Sequence, residues 1–355
     1  MSVTAPRRGP VATETEAHFR VPDNRRAYSG VALLHELRQP RRLEFDRRGR
    51  AWQLDMSRPD VDRMEYLLEL RDRSGDTAVG PDPTNPHRTP GPFGDKSVLE
   101  FPGYEPPAWV FDDDTPPGDL RELPLESRRL RATLGAFLWS AADTDPQEPL
   151  PLLVVHDGPE YAEYSSLLRL LDHLVDFGEI PECRALLLPP PPDRNEAYSA
   201  SARYANAFAT ELLPLAREHA PVARDPVVIG ASLGALSALH LHWRNPGLVG
   251  GLFLQSGSFF RQRFDRHESG FGRWNRITRF VGQVHGGRGF LGAIPITITC
   301  GTGEENLDNN RAVGEALVRR GLDVELVEHR DAHNWISWRD VLNPHLPELL
   351  LRTWT

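Results

Sequence analysis

Two hydrophobic periods divide the chain. Up to about residue 110, apolar and polar residues alternate in short runs. Arg42-Leu43-Glu44-Phe45 and Ala51-Trp52-Gln53-Leu54-Asp55-Met56 have the period of two that half-buried strands require, and residues 63–70 follow it in part. Turn formers at 72–76 close the last run. Gly80-Pro81-Asp82-Pro83-Thr84-Asn85-Pro86-His87 carries too many prolines for a helix or a central strand. The pattern predicts a small all-β sandwich with an ordered loop over residues 18–115. Ahead of it, residues 1–17 are Pro-, Thr- and Arg-rich without periodicity, which predicts a disordered tail.

After a proline-marked connection at 102–117 the pattern changes. Residues 129–139 read as a strand or hairpin arm, and Pro149 to Gly158 as a buried strand running into a turn. A helix is expected at 165–177, a strand at 185–188 and a long helix at 200–218. Apolar runs at 252–256 and 294–300, a helix at 309–320 and a strand at 324–328 complete the series. Strands alternating with helices at this spacing predict a mostly parallel α/β sheet over residues 116–355. Ligands of such sheets bind at the carboxyl ends of the strands.

Composition narrows the function classes. The 355 residues are 39% hydrophobic and 26% charged with a net charge of −9, so no basic excess exists to displace counterions from nucleic acid. Cys183 and Cys300 have neither metal-ligand spacing nor a disulfide framework, and Cys300 ends an apolar run as a small buried hydrophobe would. The first residues hold no apolar core of signal-peptide length, and no stretch is long enough for a membrane helix. The expectation is a cytoplasmic protein with no membrane or nucleic-acid partner.

Chemistry enters at Val227-Val228-Ile229-Gly230-Ala231-Ser232-Leu233-Gly234-Ala235, where a β-branched strand meets an apolar helix through Gly-x-Ser-x-Gly. This is the nucleophile-elbow pattern of the α/β-hydrolase fold, with Ser232 thrown into a strained turn and the helix dipole aimed at the site of a developing oxyanion. A serine needs a base, and the base an orienting acid, each following in chain order on a loop after a strand. His333, just before an apolar Trp-rich helix start, is the candidate base; His329 lies closer to its strand end. Glu304, three residues past Gly301, is the first candidate acid, with Asp308 second and Glu305 in reach of the same space. Leu233 supplies one backbone oxyanion donor. The turn His156-Asp157-Gly158-Pro159-Glu160-Tyr161 offers a second from Gly158, Glu160 or Tyr161, since proline has no N–H.

These motifs, with Leu254-Gln255-Ser256-Gly257-Ser258, Asp193-Arg194-Asn195-Glu196-Ala197-Tyr198, Phe208 to Pro214 and Asp331 to Arg339, resemble the enterochelin esterases, part of the esterase-D-like α/β hydrolases. The resemblance spans about 134–351. Met64-Glu65-Tyr66 and Asp82-Pro83 are similar to the immunoglobulin-like domain that precedes the catalytic domain in that family. The resemblance implies serine-dependent hydrolysis of catecholate trilactone siderophores, releasing iron, without a cofactor or catalytic metal. Its substrate is a small-molecule ester, an anionic ferric catecholate, for which Arg194 and Arg339 are candidate ligands and Trp335 and Trp338 candidate pocket walls. A carbohydrate or feruloyl-type esterase, the former presenting sugar on Trp52 or Trp109, is the alternative within the group. A hydrolase fold that only binds is the alternative outside it. The β domain, with its long proline-rich loop at 80–92, is expected to complete the substrate cleft.

Overall fold

The computed structural model describes residues 9–38, 40–287, 289 and 292–355. Contacts divide it into two compact units. The first comprises Met1–Glu105 together with Gly301–Glu305 and His329–Ser337; the second comprises Pro106–Cys300, Asn306–Glu328 and Trp338–Thr355. The division at 105–106, and the two late segments counted with the N-terminal region, both depart from a simple cut near residue 115.

The first unit is an all-β structure of two sheets. One runs Val11–Ala12, Glu16–Pro22, Ala51–Ser57, Asp46–Arg48; the other runs Arg42–Glu44, Tyr28–His35, Arg63–Asp72, Lys96–Glu100, Arg88–Thr89, with Thr77–Gly80 also paired to Arg63–Asp72. Alternation fixes the register: Phe19, Val21, Val31, Leu33, Met64, Tyr66 and Leu68 point inward, and Phe19 meets Tyr66 edge-on at 5.2 Å. The expected loop at 80–87 is pinned from inside. The Tyr66 hydroxyl donates to Asp82 at 2.9 Å, and Asn85 donates to the Val98 carbonyl at 2.7 Å. The expected disordered tail is corrected over 9–17, because Val11 and Ala12 pair with His18 and Ala17 and Ala12 packs against the β core. The remainder of that tail lies outside the described residues.

The second unit is built on an eight-stranded sheet in the order Asp119–Ser127, Ala132–Ser140, Arg184–Leu188, Leu152–His156, Val227–Ala231, Gly251–Gln255, Pro295–Gly301, Asp323–His329. An antiparallel hairpin begins it, and the pairings from Arg184–Leu188 through Val227–Ala231 to Pro295–Gly301 are parallel. This is the α/β-hydrolase arrangement. Strands 152–156, 184–188, 227–231 and 251–255 are buried along their whole length, as runs covered on both faces must be. Each fully buried Leu, Ile or Val in this stack stabilises the fold by about 1.5–3 kcal/mol.

Three local features differ from the sequence pattern. Strand Asp119–Ser127 lies in a stretch to which the sequence pattern assigned no element, because consecutive Arg121 and Glu122 interrupt its alternation and Pro124 disfavours a strand reading. The helix expected at 200–218 divides into Ala202–Ala207, a π-helical turn Phe208–Leu212, and Leu213–His219. Pro214 explains the break: it has no N–H for the regular ladder and its ring crowds the preceding turn. Helix Trp274–His285 was not anticipated, although Trp274, Ile277, Phe280, Val281 and Val284 bury one face at helical spacing. Among the described residues, no helix is long and apolar enough to cross a membrane.

Candidate active site

In the second unit, the strand Val227–Ala231 ends at a turn whose central residue is Ser232, with φ 55° and ψ −119°. Such a conformation is costly for a non-glycine residue and persists only when its surroundings hold it. They do. The Ser232 N–H donates to the Gln255 carbonyl at 2.9 Å, and the Ser232 carbonyl accepts from Leu236 at 3.2 Å and from Ser258 at 3.1 Å. A Cβ on Gly230 would lie 2.6 Å from the Gly234 carbonyl carbon, so strand and helix approach this closely only over glycine. Gly230→Ala should therefore lower stability by about 1–3 kcal/mol and displace the serine. A melting curve recorded beside turnover checks this; an alanine variant with both unchanged contradicts it.

Helix Leu233–Arg244 is buried over its first ten residues. Leu233 opens it, so its N–H has no acceptor within the helix. The Ser232 hydroxyl lies 3.1 Å from that of Ser258. Ser258 was not singled out by sequence as a functional residue, though it ends the Gln255-Ser256-Gly257-Ser258 motif. Behind the elbow, Tyr161 donates to Gln255 Oε1 at 2.7 Å, Gln255 Nε2 donates to the Trp338 carbonyl at 3.0 Å, and Trp338 Nε1 donates to Ser256 Oγ at 2.9 Å. Trp338 is thus a packed, bonded core residue.

The 156–161 turn is organised by one ion pair. Asp157 is buried in the left-handed region, and Arg194 meets both its oxygens at 2.8 and 2.7 Å. Arg194 also lies over the Tyr198 ring at 5.2 Å. This places the candidate anion ligand in a bidentate pair that fixes the turn. His156 is fully buried, and burial pushes its pKa down to about 4; the neutral ring donates from Nδ1 to the Gly234 carbonyl at 3.1 Å. Gly158 starts helix Gly158–Tyr164 hard against the sheet, where a Cβ would fall 2.4 Å from Leu187 Cα. The Tyr161 N–H is taken by the Asp157 carbonyl at 3.0 Å, which removes it from the candidate donors. Arg339 is bonded to Asp340 at 2.7 Å.

In the first unit, Glu304 and His333 meet. His333 Nδ1 lies 2.8 Å from Glu304 Oε2, and Glu304 Oε1 accepts from the Gly301 N–H at 2.9 Å. The Glu304 side chain is 1% exposed and that of His333 27%, so the carboxylate is hidden and the imidazole partly buried. Among the three candidate carboxylates, Glu304 bonds this histidine. Glu305 pairs with Arg41, and exposed Asp308 with Arg311 at 3.5 Å. Burial pulls the His333 pKa down, but the Glu304 charge and hydrogen bond, with help from Glu36, raise it overall above the usual histidine value. A proton held on Nδ1 by the carboxylate puts the basic lone pair of the neutral ring on Nε2. His329 instead bonds Ser337 at 2.8 Å through Nε2. Trp335 opens helix Trp335–Asp340 and is half-buried.

Comparisons with known proteins place the chain among esterases. The putative esterase family matches residues 139–349. The iron(III) enterobactin esterase of Dickeya dadantii (strain 3937) is 29% identical over 230 residues, covering 62% of this chain and 52% of that protein. That of Escherichia coli O6:H1 is 30% identical over 223 residues, covering 60% and 54%. The matches thus span about half the length of these curated relatives. The crystal structure of the Shigella flexneri enterobactin esterase in the presence of 2,3-dihydroxy-N-benzoyl-serine superposes with a TM-score of 0.74 at 22% identity, over 97% of this chain and 96% of that one.

Proposed function

Because the chain belongs to the putative esterase family, we propose that it is a serine esterase that hydrolyses the ester bonds of catecholate trilactone siderophores in the cytoplasm and so frees their iron. The reading is carried by the strained, glycine-flanked Ser232 on its elbow; His333, bonded through Nδ1 to the buried Glu304, supports it as the base–acid couple. In this mechanism His333 takes the Ser232 proton as the hydroxyl attacks the ester carbonyl. The tetrahedral oxyanion is held by the N–H of Leu233 and by one from the Gly158 turn. Collapse gives an acyl-enzyme and releases the alcohol, protonated by His333. Water, deprotonated by the same imidazole, then hydrolyses the acyl-enzyme.

The siderophore reading draws on the similarity to enterobactin esterases along nearly the whole chain. A sugar-presenting surface finds no support in the two candidate tryptophans. Trp52 is buried and donates to Asp23 at 3.2 Å, and Trp109 is also buried. The test is a product assay. Purified protein incubated with ferric and iron-free enterobactin, beside feruloyl and short-chain aryl esters, is followed by mass spectrometry. Linear oligomers and 2,3-dihydroxy-N-benzoyl-serine should accumulate faster than any feruloyl product. Preferential feruloyl cleavage would reject the substrate assignment.

A further inference from the structure

The two segments that carry Glu304 and His333 are folded into the N-terminal β unit. Residues 301–305 are fastened to it by the Arg38 N–H donating to the Gly303 carbonyl at 3.0 Å, Arg38 Nε donating to the Glu304 carbonyl at 3.1 Å, and Thr302 Oγ1 donating to the Asp60 carbonyl at 2.8 Å. Gly303 sits where three pieces of chain converge. A Cβ there would fall 2.5 Å from Val61 Cγ1, 3.1 Å from the Asp331 carbonyl oxygen and 3.2 Å from Leu37 Cδ2. The histidine segment is fastened just as closely. The Asp62 N–H donates to the Arg330 carbonyl at 2.8 Å, and Ala332 joins the apolar core with Leu37, Val61 and Met64.

The fold of the histidine loop itself runs through Asp331 and Asn334. Asp331 Oδ1 accepts from the Ala332 N–H at 2.7 Å and from Asn334 Nδ2 at 3.1 Å, and Asn334 Oδ1 accepts from the Ser337 N–H at 2.9 Å. Arg63, buried on its strand and bonded to Glu65 at 2.8 Å, places Nη1 3.5 Å from that same Asn334 oxygen. Burial alone would weaken its charge, but Glu65 and Asp331 more than offset this and hold the guanidinium protonated.

We infer that the N-terminal β unit is a working part of the catalytic machinery, setting the geometry of the His333–Glu304 couple through Arg38 and Arg63 as positioning residues. The inference rests on the triad proposed above. It assigns the β unit a task in the chemical step, separate from any contact with substrate. The charged groups acting on His333 are Glu304 on the acid loop, Glu36 after strand Tyr28–His35, and Lys96 at the start of Lys96–Glu100. Lys96, the chain's single lysine, bonds Glu36 at 2.8 Å and approaches Glu65 at 3.5 Å.

The test uses the full chain and a small aryl acetate, an ester too small to need a bulky-substrate cleft. Arg63→Met should lower kcat about tenfold or more with little change in KM, because misplacing a catalytic group costs the chemical step. Arg63→Lys should recover part of the loss. Glu36→Gln removes a charge that raises the His333 pKa, so the acidic limb of kcat/KM against pH should move to lower pH. Lys96→Gln removes an opposing charge, and the limb should move up. The exposed Glu36 and half-buried Lys96 keep the test decisive should an Arg63 variant fold poorly. If His333→Ala is inactive while all four variants keep the wild-type kcat and pH limb, the β unit is only a scaffold and the inference is wrong. If His333→Ala keeps activity, the triad reading falls and takes the inference with it.

Discussion

Ser232→Ala should abolish ester hydrolysis while leaving the melting temperature near that of the wild type. The hydroxyl is the bond-forming atom of the proposed mechanism, and its contact to Ser258 at 3.1 Å supports no apolar core. Removing a nucleophile that acts within a triad costs about a thousandfold or more in kcat. The strained backbone at 232 is imposed by bonds from Gln255, Leu236 and Ser258 to main-chain atoms, and alanine retains all of them. Turnover of an aryl acetate and of a trilactone should therefore vanish together, with an unchanged far-ultraviolet circular dichroism spectrum. A correctly folded alanine variant with near-native turnover would remove Ser232 from the mechanism.

Glu304→Gln should be nearly as damaging. The amide preserves size but not charge, so it cannot stabilise the imidazolium that forms as the base takes a proton. An amide NH2 turned toward Nδ1 would also favour the tautomer with Nε2 already protonated. A loss of about a thousandfold or more in kcat is expected, with KM little changed. Since Glu304 holds the His333 pKa above the ordinary value, the residual activity should show its acidic limb at lower pH than the wild type. The readout is kcat/KM from pH 5 to 9, with Glu305→Gln and Asp308→Asn as comparisons. Near-native activity in Glu304→Gln and a collapse in either comparison would transfer the acid role to the other carboxylate.

The elbow was legible because its constraints are local. A Gly-x-Ser-x-Gly turn, a β-branched run before it and an apolar helix after it are all encoded within thirteen residues. The buried strands were legible for the same reason. Less of the acid was readable, because Glu304, Glu305 and Asp308 share one loop and differ only in where each side chain points. Arg194 looked from sequence like a free cation for an anionic ligand. Its partner Asp157 lies 37 positions earlier, on a turn whose buried carboxylate needs a counter-charge. The packing of 301–305 and 329–337 on the β unit left no periodic trace, since it depends on single residues such as Val61 and Gly303 meeting across most of the chain. The break at Phe208–Leu212 could have been read from Pro214, which a continuous helix does not accommodate.

The bonds from Arg38 to Glu304 and from Arg63 to Asn334 join residues 266 and 271 positions apart. Closures of that span carry the largest entropy cost in the fold and form only after much of the chain is in place. The turn at Ser232, by contrast, is secured by neighbours within about 26 positions. During synthesis and refolding the serine should therefore reach its native turn before its base and acid reach theirs. A half-folded molecule would hold an inert alcohol, and esterase competence should arrive with the final tertiary docking. In a stopped-flow refolding experiment, recovery of turnover should lag behind recovery of helical signal.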